Sequence, residues 1–201
     1  MRWGIVINLT RCVGCYACVI GCKQENFLPP DIFFNRVLIS EDGGHYPVVA
    51  KKMYPAQCNH CTDPPCVEVC PTGANIFGTR EELLQEAKRR LALKPGQDYT
   101  YPLERVGSTY GHVKAAPNYT QHVFGEHEGG GTQVMVIAGM AHTKLGLPEL
   151  PDRSYASVSE TVQHSIYGGM LAPAGVLAGL LYFARRNTSG NHQDDNEGGE
   201  S

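Results

Sequence analysis

The chain has 201 residues, with 17 Lys and Arg against 20 Asp and Glu and a formal net charge of −3. That length suits one domain with appendages, and without a basic surplus nothing argues for a nucleic-acid partner. Glycine (23) and proline (13) are plentiful, as in a loop-rich fold. Met1 leads straight into Trp3-Gly4-Ile5-Val6-Ile7 with no basic n-region, no long apolar h-region and no twin-arginine pair, so no signal peptide is expected.

Trp3 to Leu9 is a short apolar run that predicts a strand. It leads into a first cysteine run, Cys12-x2-Cys15-x2-Cys18-x3-Cys22, with a short helix expected from Tyr16 to Gln24. Val37 to Ile39 and Tyr46 to Met53 read as strands, separated by the turn residues Glu41-Asp42-Gly43-Gly44. A second run, Cys58-x2-Cys61-x4-Cys66-x3-Cys70, is followed at once by Pro71. After Thr72-Gly73-Ala74 the chain turns, and Thr79-Arg80-Glu81-Glu82 has the form of a capping box. The helix it opens is expected to run to about Leu93, with Leu83, Leu84, Ala87 and Leu91 on one face and Lys94-Pro95-Gly96 as its stop.

All eight cysteines belong to the two runs, and the first has the spacing that holds iron–sulfur cubanes in bacterial ferredoxins. There three closely spaced cysteines hold one cluster and the fourth reaches across to the other. Cys12, Cys15, Cys18 and Cys70 are therefore read as ligands of one 4Fe–4S cluster, and Cys58, Cys61, Cys66 and Cys22 as ligands of a second. Zinc fits less well, because Cys15 both ends one C-x2-C and starts the next, whereas structural zinc usually takes two separated pairs. Disulfides suit small secreted scaffolds rather than a chain long enough to build a core. No isolated C-x-x-C of thioredoxin type stands apart. The two halves, each a cysteine loop with flanking strands, form a pseudo-repeat. They predict an α+β, ferredoxin-like domain over residues 1–96 with two 4Fe–4S clusters between the halves.

Residues 97–156 predict a long irregular extension of the kind that wraps a partner. His122, Glu126 and His127 can be drawn as a metal site, but their spacing is irregular, and they read as solvated loop residues. Gly125 to Gly131 lacks the strand–turn–helix setting of a phosphate loop. Gln133 to Ala141 is a β-like apolar run expected to return to the core or meet a partner.

Ser157-x-x-Glu160 resembles a second capping box, opening a membrane-anchor helix over residues 157–186. Ile166 to Ala184 carries no charge over nineteen residues, enough for a helix of about 28 Å, close to the hydrocarbon thickness. Tyr167, Tyr182 and Phe183 stand near its ends as interfacial aromatics do, and Gly175-x-x-x-Gly179 permits close approach of another membrane helix. Arg185-Arg186 places that end in the cytoplasm by the positive-inside rule. The cluster domain is then expected on the periplasmic, outer face of the cell membrane, exported with a partner that carries the signal. Residues 187–201 are polar, acidic and glycine-rich, and are expected to be disordered.

Arg11-Cys12-Val13-Gly14-Cys15-Tyr16-Ala17-Cys18, Cys22-Lys23-Gln24-Glu25-Asn26, Gln57-Cys58-Asn59-His60-Cys61 and Pro64-Pro65-Cys66-Val67-Glu68-Val69-Cys70-Pro71-Thr72-Gly73-Ala74 resemble the iron–sulfur electron-transfer subunits of respiratory molybdoenzymes and membrane hydrogenases. Phe77 to Leu84, Val123 to Glu128 and the terminal helix resemble the HybA-type subunit of nickel–iron hydrogenase complexes. The resemblance covers nearly the whole chain. It implies a non-catalytic subunit that passes single electrons between a catalytic partner and a quinone-reactive or cytochrome membrane subunit. Members of that family usually carry sixteen cysteines and four clusters. This chain has eight, and its sequence after Pro71 resembles the stretch beyond a fourth motif. It therefore reads as a shortened two-cluster relay whose middle motifs are missing. No nucleophile–base pair or organic-cofactor fingerprint points to substrate chemistry. The competing readings are a structural or assembly subunit with non-redox metal sites, and a freestanding membrane-tethered ferredoxin.

Overall fold

The computed structural model describes residues 2–43, 45–58 and 60–190. The chain divides into two compact units, Met1–Arg153 and Ser154–Ser201, and the first is mixed α/β.

Its centre is strand β1 (Trp3–Asn8), whose apolar run is buried from Gly4 onward. The remaining elements follow as α1 (Ala17–Glu25), β2 (Arg36–Asp42), β3 (Ala50–Ala56), α2 (Pro65–Glu68), β4 (Asn75–Thr79), α3 (Arg80–Leu91), β5 (Asp98–Pro102), β6 (Gly111–Ala115) and β7 (Val134–Ile137). The main sheet has the order β4-β1-β7. β4 runs antiparallel to β1, with Ile5 opposite Phe77, and β7 runs parallel to it, with Ile5 opposite Val134. Two further antiparallel pairs, β2–β3 and β5–β6, stand outside this sheet.

Because side chains alternate along a strand, β1 feeds two different cores. Ile5 and Ile7 pack with Cys18, Val19, Cys66, Val67, Phe77 and Val136 on one face. Val6 packs on the other face with Ile76, Met135, Ile137 and the α3 residues Leu83, Ala87 and Leu91. Cysteine loops therefore lie on one side of the sheet and a helix seals the other. A continuous apolar strand, rather than an alternating one, is what burial on both faces demands.

The expected capping box is present. Thr79 accepts the Glu82 backbone N–H, while Glu82 reaches back to Thr79. The strand expected from Tyr46 begins only at Ala50. The Val48 N–H is used at 2.9 Å by the His45 carbonyl in a turn, and Pro47 has no N–H to give a ladder. β7 occupies only the middle of the apolar run from Gln133, and it returns to the core as a sheet edge. Residues 97–156, expected to be irregular, contain the β5–β6 hairpin as well as β7.

In the second unit, α4 (Tyr155–Gly190) is one continuous helix of 36 residues, and it is long and apolar enough to cross a membrane. Its start corrects the expectation at Ser157, which lies within the first turns. The capping oxygen belongs to Ser154, which accepts the Ala156 N–H at 3.2 Å. Of the tail expected to be disordered, residues 187–190 form the last turn of α4, and residues 191–201 lie outside the described residues.

Candidate metal centre

The first cysteine loop leaves β1 and needs two left-handed positions before it can enter α1. Gly14 adopts φ 63 and Tyr16 φ 61, a conformation that glycine takes without strain and tyrosine does not. Cys12 is half-buried and Cys15 exposed, while Cys18 and Cys22, four residues apart on α1, are both buried. The second run is carried by the loop after β3 and by α2, where Pro65 occupies the first helical turn as its fixed φ favours. Cys66 and Cys70 are buried and Cys58 and Cys61 half-buried. The two short helices approach closely. A side chain at Gly21 would meet Val69 at 3.0 Å.

This folding gathers the eight thiols into two groups. Cys12 lies in the field of Cys70 and Cys15, and Cys18 in the fields of Cys70, Cys12 and Cys15. All four line one cavity, with Gly14, Val37, Pro55 and Ala74 completing its wall. Cys22 is a neighbour of Cys58 and Cys61, and Cys66 of Cys58, Cys22 and Cys61. Cys66 also lies in the field of Cys18, so the two groups adjoin. All eight are free thiols.

Burial is the largest cause of the shifts at five of them, with mutual repulsion a smaller one. It pushes Cys18 up to about 11 and Cys66 up to about 12, and it also raises Cys12, Cys22 and Cys61. Four thiols so placed ionise together only with a cationic partner, and an all-sulfur donor set selects soft transition metals or iron–sulfur clusters. Among the described residues no three His, Cys, Asp or Glu side chains close round a point tightly enough for a single ion. A cubane, being larger than an ion, holds its four thiolates farther apart.

A further set of donors faces the sulfurs. The Gly14 N–H bonds Cys12 and the Gln57 side chain lies beside Cys18. Asn26 Nδ2 approaches Cys22 Sγ at 3.8 Å, and Thr72 Oγ1 approaches Cys70 Sγ at 3.8 Å. Gln57 is itself fixed by Asn35, whose Nδ2 donates to its Oε1 at 3.1 Å and to the Cys18 carbonyl at 3.0 Å. Sequence reasoning assigned no role to Asn35, Gln57 or Thr72. Only the proximity of Gln57 and Thr72 to cysteines in sequence pointed to them.

The histidine-rich segment resolves into ion pairs. His122 pairs with Glu128 at 2.6 Å, and Glu126 pairs with Lys88 at 2.6 Å and with His127 at 3.5 Å. Of the three residues drawn together from the sequence, Glu126 and His127 stay together while His122 turns to Glu128 instead.

No family model matches the chain. It is similar to the hydrogenase-2 operon protein HybA of Escherichia coli O157:H7, at 52% identity over 138 residues, which is 69% of this chain and 42% of that protein. It is also similar to a selenate reductase subunit of Mesobacillus selenatarsenatis, at 46% identity over 74 residues, covering 37% of this chain and 25% of that protein. The arsenate respiratory reductase iron–sulfur subunit ArrB of Shewanella sp. matches at 46% over 74 residues, covering 37% and 31%. The chain spans less than half the length of each of these curated relatives. By name the Shewanella protein is the iron–sulfur subunit of a respiratory reductase, and the chain is homologous to all three.

Proposed function

We propose that this relative of the respiratory iron–sulfur subunits is an electron-transfer subunit of a membrane-bound oxidoreductase complex, holding two 4Fe–4S clusters and performing no substrate chemistry itself. The observation that carries the reading is the gathering of eight free thiols, four of them buried, into two adjoining groups of four.

Cys12, Cys15, Cys18 and Cys70 would hold one cluster, and Cys22, Cys58, Cys61 and Cys66 the other, in a ferredoxin-like arrangement. Bound there, the clusters supply one-electron carriers whose potentials follow the charge, hydrogen bonds and burial around their sulfurs. The chain's part is to shape and dry the two sites. Gly14 and Gly73 turn the loops, Ile5, Ile7, Val19 and Val67 exclude water on the sheet side, and Asn26, Gln57 and Thr72 direct donors at sulfur. Cys15, the exposed member, gives the first site an edge toward a partner.

The partners would be a catalytic subunit of hydrogenase or molybdoenzyme type and a quinone-reactive or cytochrome subunit in the membrane. α4 would anchor the chain beside the latter, with Arg185 and Arg186 on the cytoplasmic side and the cluster domain on the outer face. Eight cysteines then make a shortened relay.

The test is to load the full-length chain with iron and sulfide anaerobically in mild detergent, measure its metals and titrate it. About eight irons per chain, brown absorbance and two reversible one-electron couples are expected. Stoichiometric zinc, or iron that cannot be reversibly reduced, would overturn the reading in favour of a structural subunit. Co-purification of a catalytic and a membrane subunit is the expected result from native membranes, and a solitary chain there would indicate a freestanding tethered ferredoxin.

A further inference from the structure

Arg11 directly precedes Cys12, and among the described residues this buried cation has no carboxylate partner. Only 6% of it is exposed. Its Nε donates to the Thr72 carbonyl at 2.8 Å, its Nη2 meets His112 Nε2, and its guanidinium lies 3.8 Å above the centre of the Tyr101 ring. Thr72 in turn contacts the Cys70 sulfur, so Arg11 ties the loop of Cys12 to the turn of Cys70. The one carboxylate on the opposite side among the described contacts of that environment, Glu86, is balanced by Arg90. Arg90 also lies over Tyr101, at 5.1 Å, and is already paired with Glu86 at 2.8 Å. A buried cation with no carboxylate partner is costly, and Arg11 ties together the loops of Cys12 and Cys70, where a loaded site would gather negative charge.

The second group has the reverse surroundings. In the pseudo-repeat the residue before Cys58 is the neutral Gln57, and its side chain lies beside Cys18 of the first group. Cys61 lies in the field of Glu25, and Glu68 on α2 lies in the fields of Asp63, Glu104 and Glu25. Accepting an electron adds negative charge, which a nearby buried cation favours and nearby carboxylates oppose.

We infer that the two sites are electrostatically unequal. The site of Cys12, Cys15, Cys18 and Cys70 has the higher reduction potential because Arg11 stands behind it. This rests on the reading of the eight cysteines as two cluster sites. The bias sets a resting place for the electron. A single electron entering the chain settles at the first site, whose exposed ligand is Cys15. Glu25, Asp63 and Glu68 are exposed and Glu104 is half-buried, so their effect is largely screened by salt, whereas that of buried Arg11 is not.

The experiment is a potentiometric titration of the loaded full-length chain followed by electron paramagnetic resonance. The first-site couple is identified as the one that Cys15→Ser removes or reshapes. That couple is expected to be the higher of the two, to fall in Arg11→Gln while the other stays in place, and to stay near its original value in Arg11→Lys. A wild-type chain without two iron–sulfur couples defeats the cluster reading itself. Two couples in the opposite order, a first-site couple unmoved by Arg11→Gln, or an equal fall in Arg11→Lys overturns the inference alone. Should Arg11→Gln load a single cluster, Arg11→Lys decides. Two clusters at wild-type potentials support the role of the charge, and one cluster shows that the site needs the guanidinium fork instead.

Discussion

Gly14 and Gly73 both adopt left-handed backbone, at φ 63 and φ 59, but their surroundings differ. A Cβ on Gly14 would press into the Met53 thioether, the far end of a flexible side chain. A Cβ on Gly73 would press into the Pro102 carbonyl, which is backbone and cannot step aside. Either alanine costs about 1–2 kcal/mol of conformational strain, and at position 73 the clash adds to it. Gly73→Ala is therefore expected to lower the melting temperature and the iron content more than Gly14→Ala. Equal losses would mean that Met53 is held as rigidly as the backbone. His142 supplies a pH dependence outside the cysteine loops. Burial first, then the adjacent His122, hold it below the ordinary histidine value, with Phe124 stacked on its ring and Glu128 and the Val136 carbonyl opposing the shift. Below about pH 6.5 the unfolded chain binds a proton that the folded chain resists. Stability present above that pH is consequently lost as pH falls through it toward the folded value. Melting curves between about pH 7.5 and 5.5 should converge less steeply in His142→Phe than in the native chain. An identical decline in both would place the sensitivity elsewhere.

At the scale of elements, α3 was the most legible part of the sequence and β4 among the least. Thr79, Glu82 and the spaced Leu83, Ala87 and Leu91 carry cap and buried face within thirteen residues, so the local pattern and the tertiary packing agree. Thr79→Ala is expected to cost about 1 kcal/mol through the lost cap. Leu83→Ala, at a position with no exposure, should cost about 2–5 kcal/mol through a cavity beside β1. Chemical denaturation of both variants checks the order, and a cap that outweighs the cavity would show that α3 is held by its end rather than its face. β4 has only five residues, one of them Gly78, and its identity as a strand depends on β1, some seventy residues earlier. The parallel partnership of β7 with β1 is equally non-local, and the β5–β6 hairpin is short. Pairings between distant segments leave little trace in local periodicity. The two cysteine runs stand out in the sequence by residue type and spacing alone. The residues that aim donors at sulfur do not, since Asn35 reaches Cys18 only through the folded loop.

For the whole molecule, the two units present different surfaces. Unit one buries its apolar residues around β1, whereas α4 presents Leu177, Leu180 and Leu181 with more than half of each exposed. In water such a surface is unfavourable at roughly 25 cal/mol per Å2, and hydrocarbon removes the penalty. The helix is longer than a bilayer core needs, about 54 Å at 1.5 Å per residue. Its polar first turns, with Ser157, Glu160, Thr161 and His164, can stay in the headgroup region while the stretch from Ile166 to Ala184 crosses. Arginine at the centre of a membrane helix costs about 2.5–3.5 kcal/mol on insertion, and near the boundary a long side chain snorkels outward at little cost. Leu177→Arg with Leu180→Arg should therefore release the full chain from membranes into the supernatant of an alkaline carbonate wash. Ser165→Arg, one residue before the apolar stretch, should leave it in the pellet. If the double substitution stays in the pellet, α4 is not what holds this chain at the membrane, and attachment must come through a partner bound to the cysteine-bearing unit.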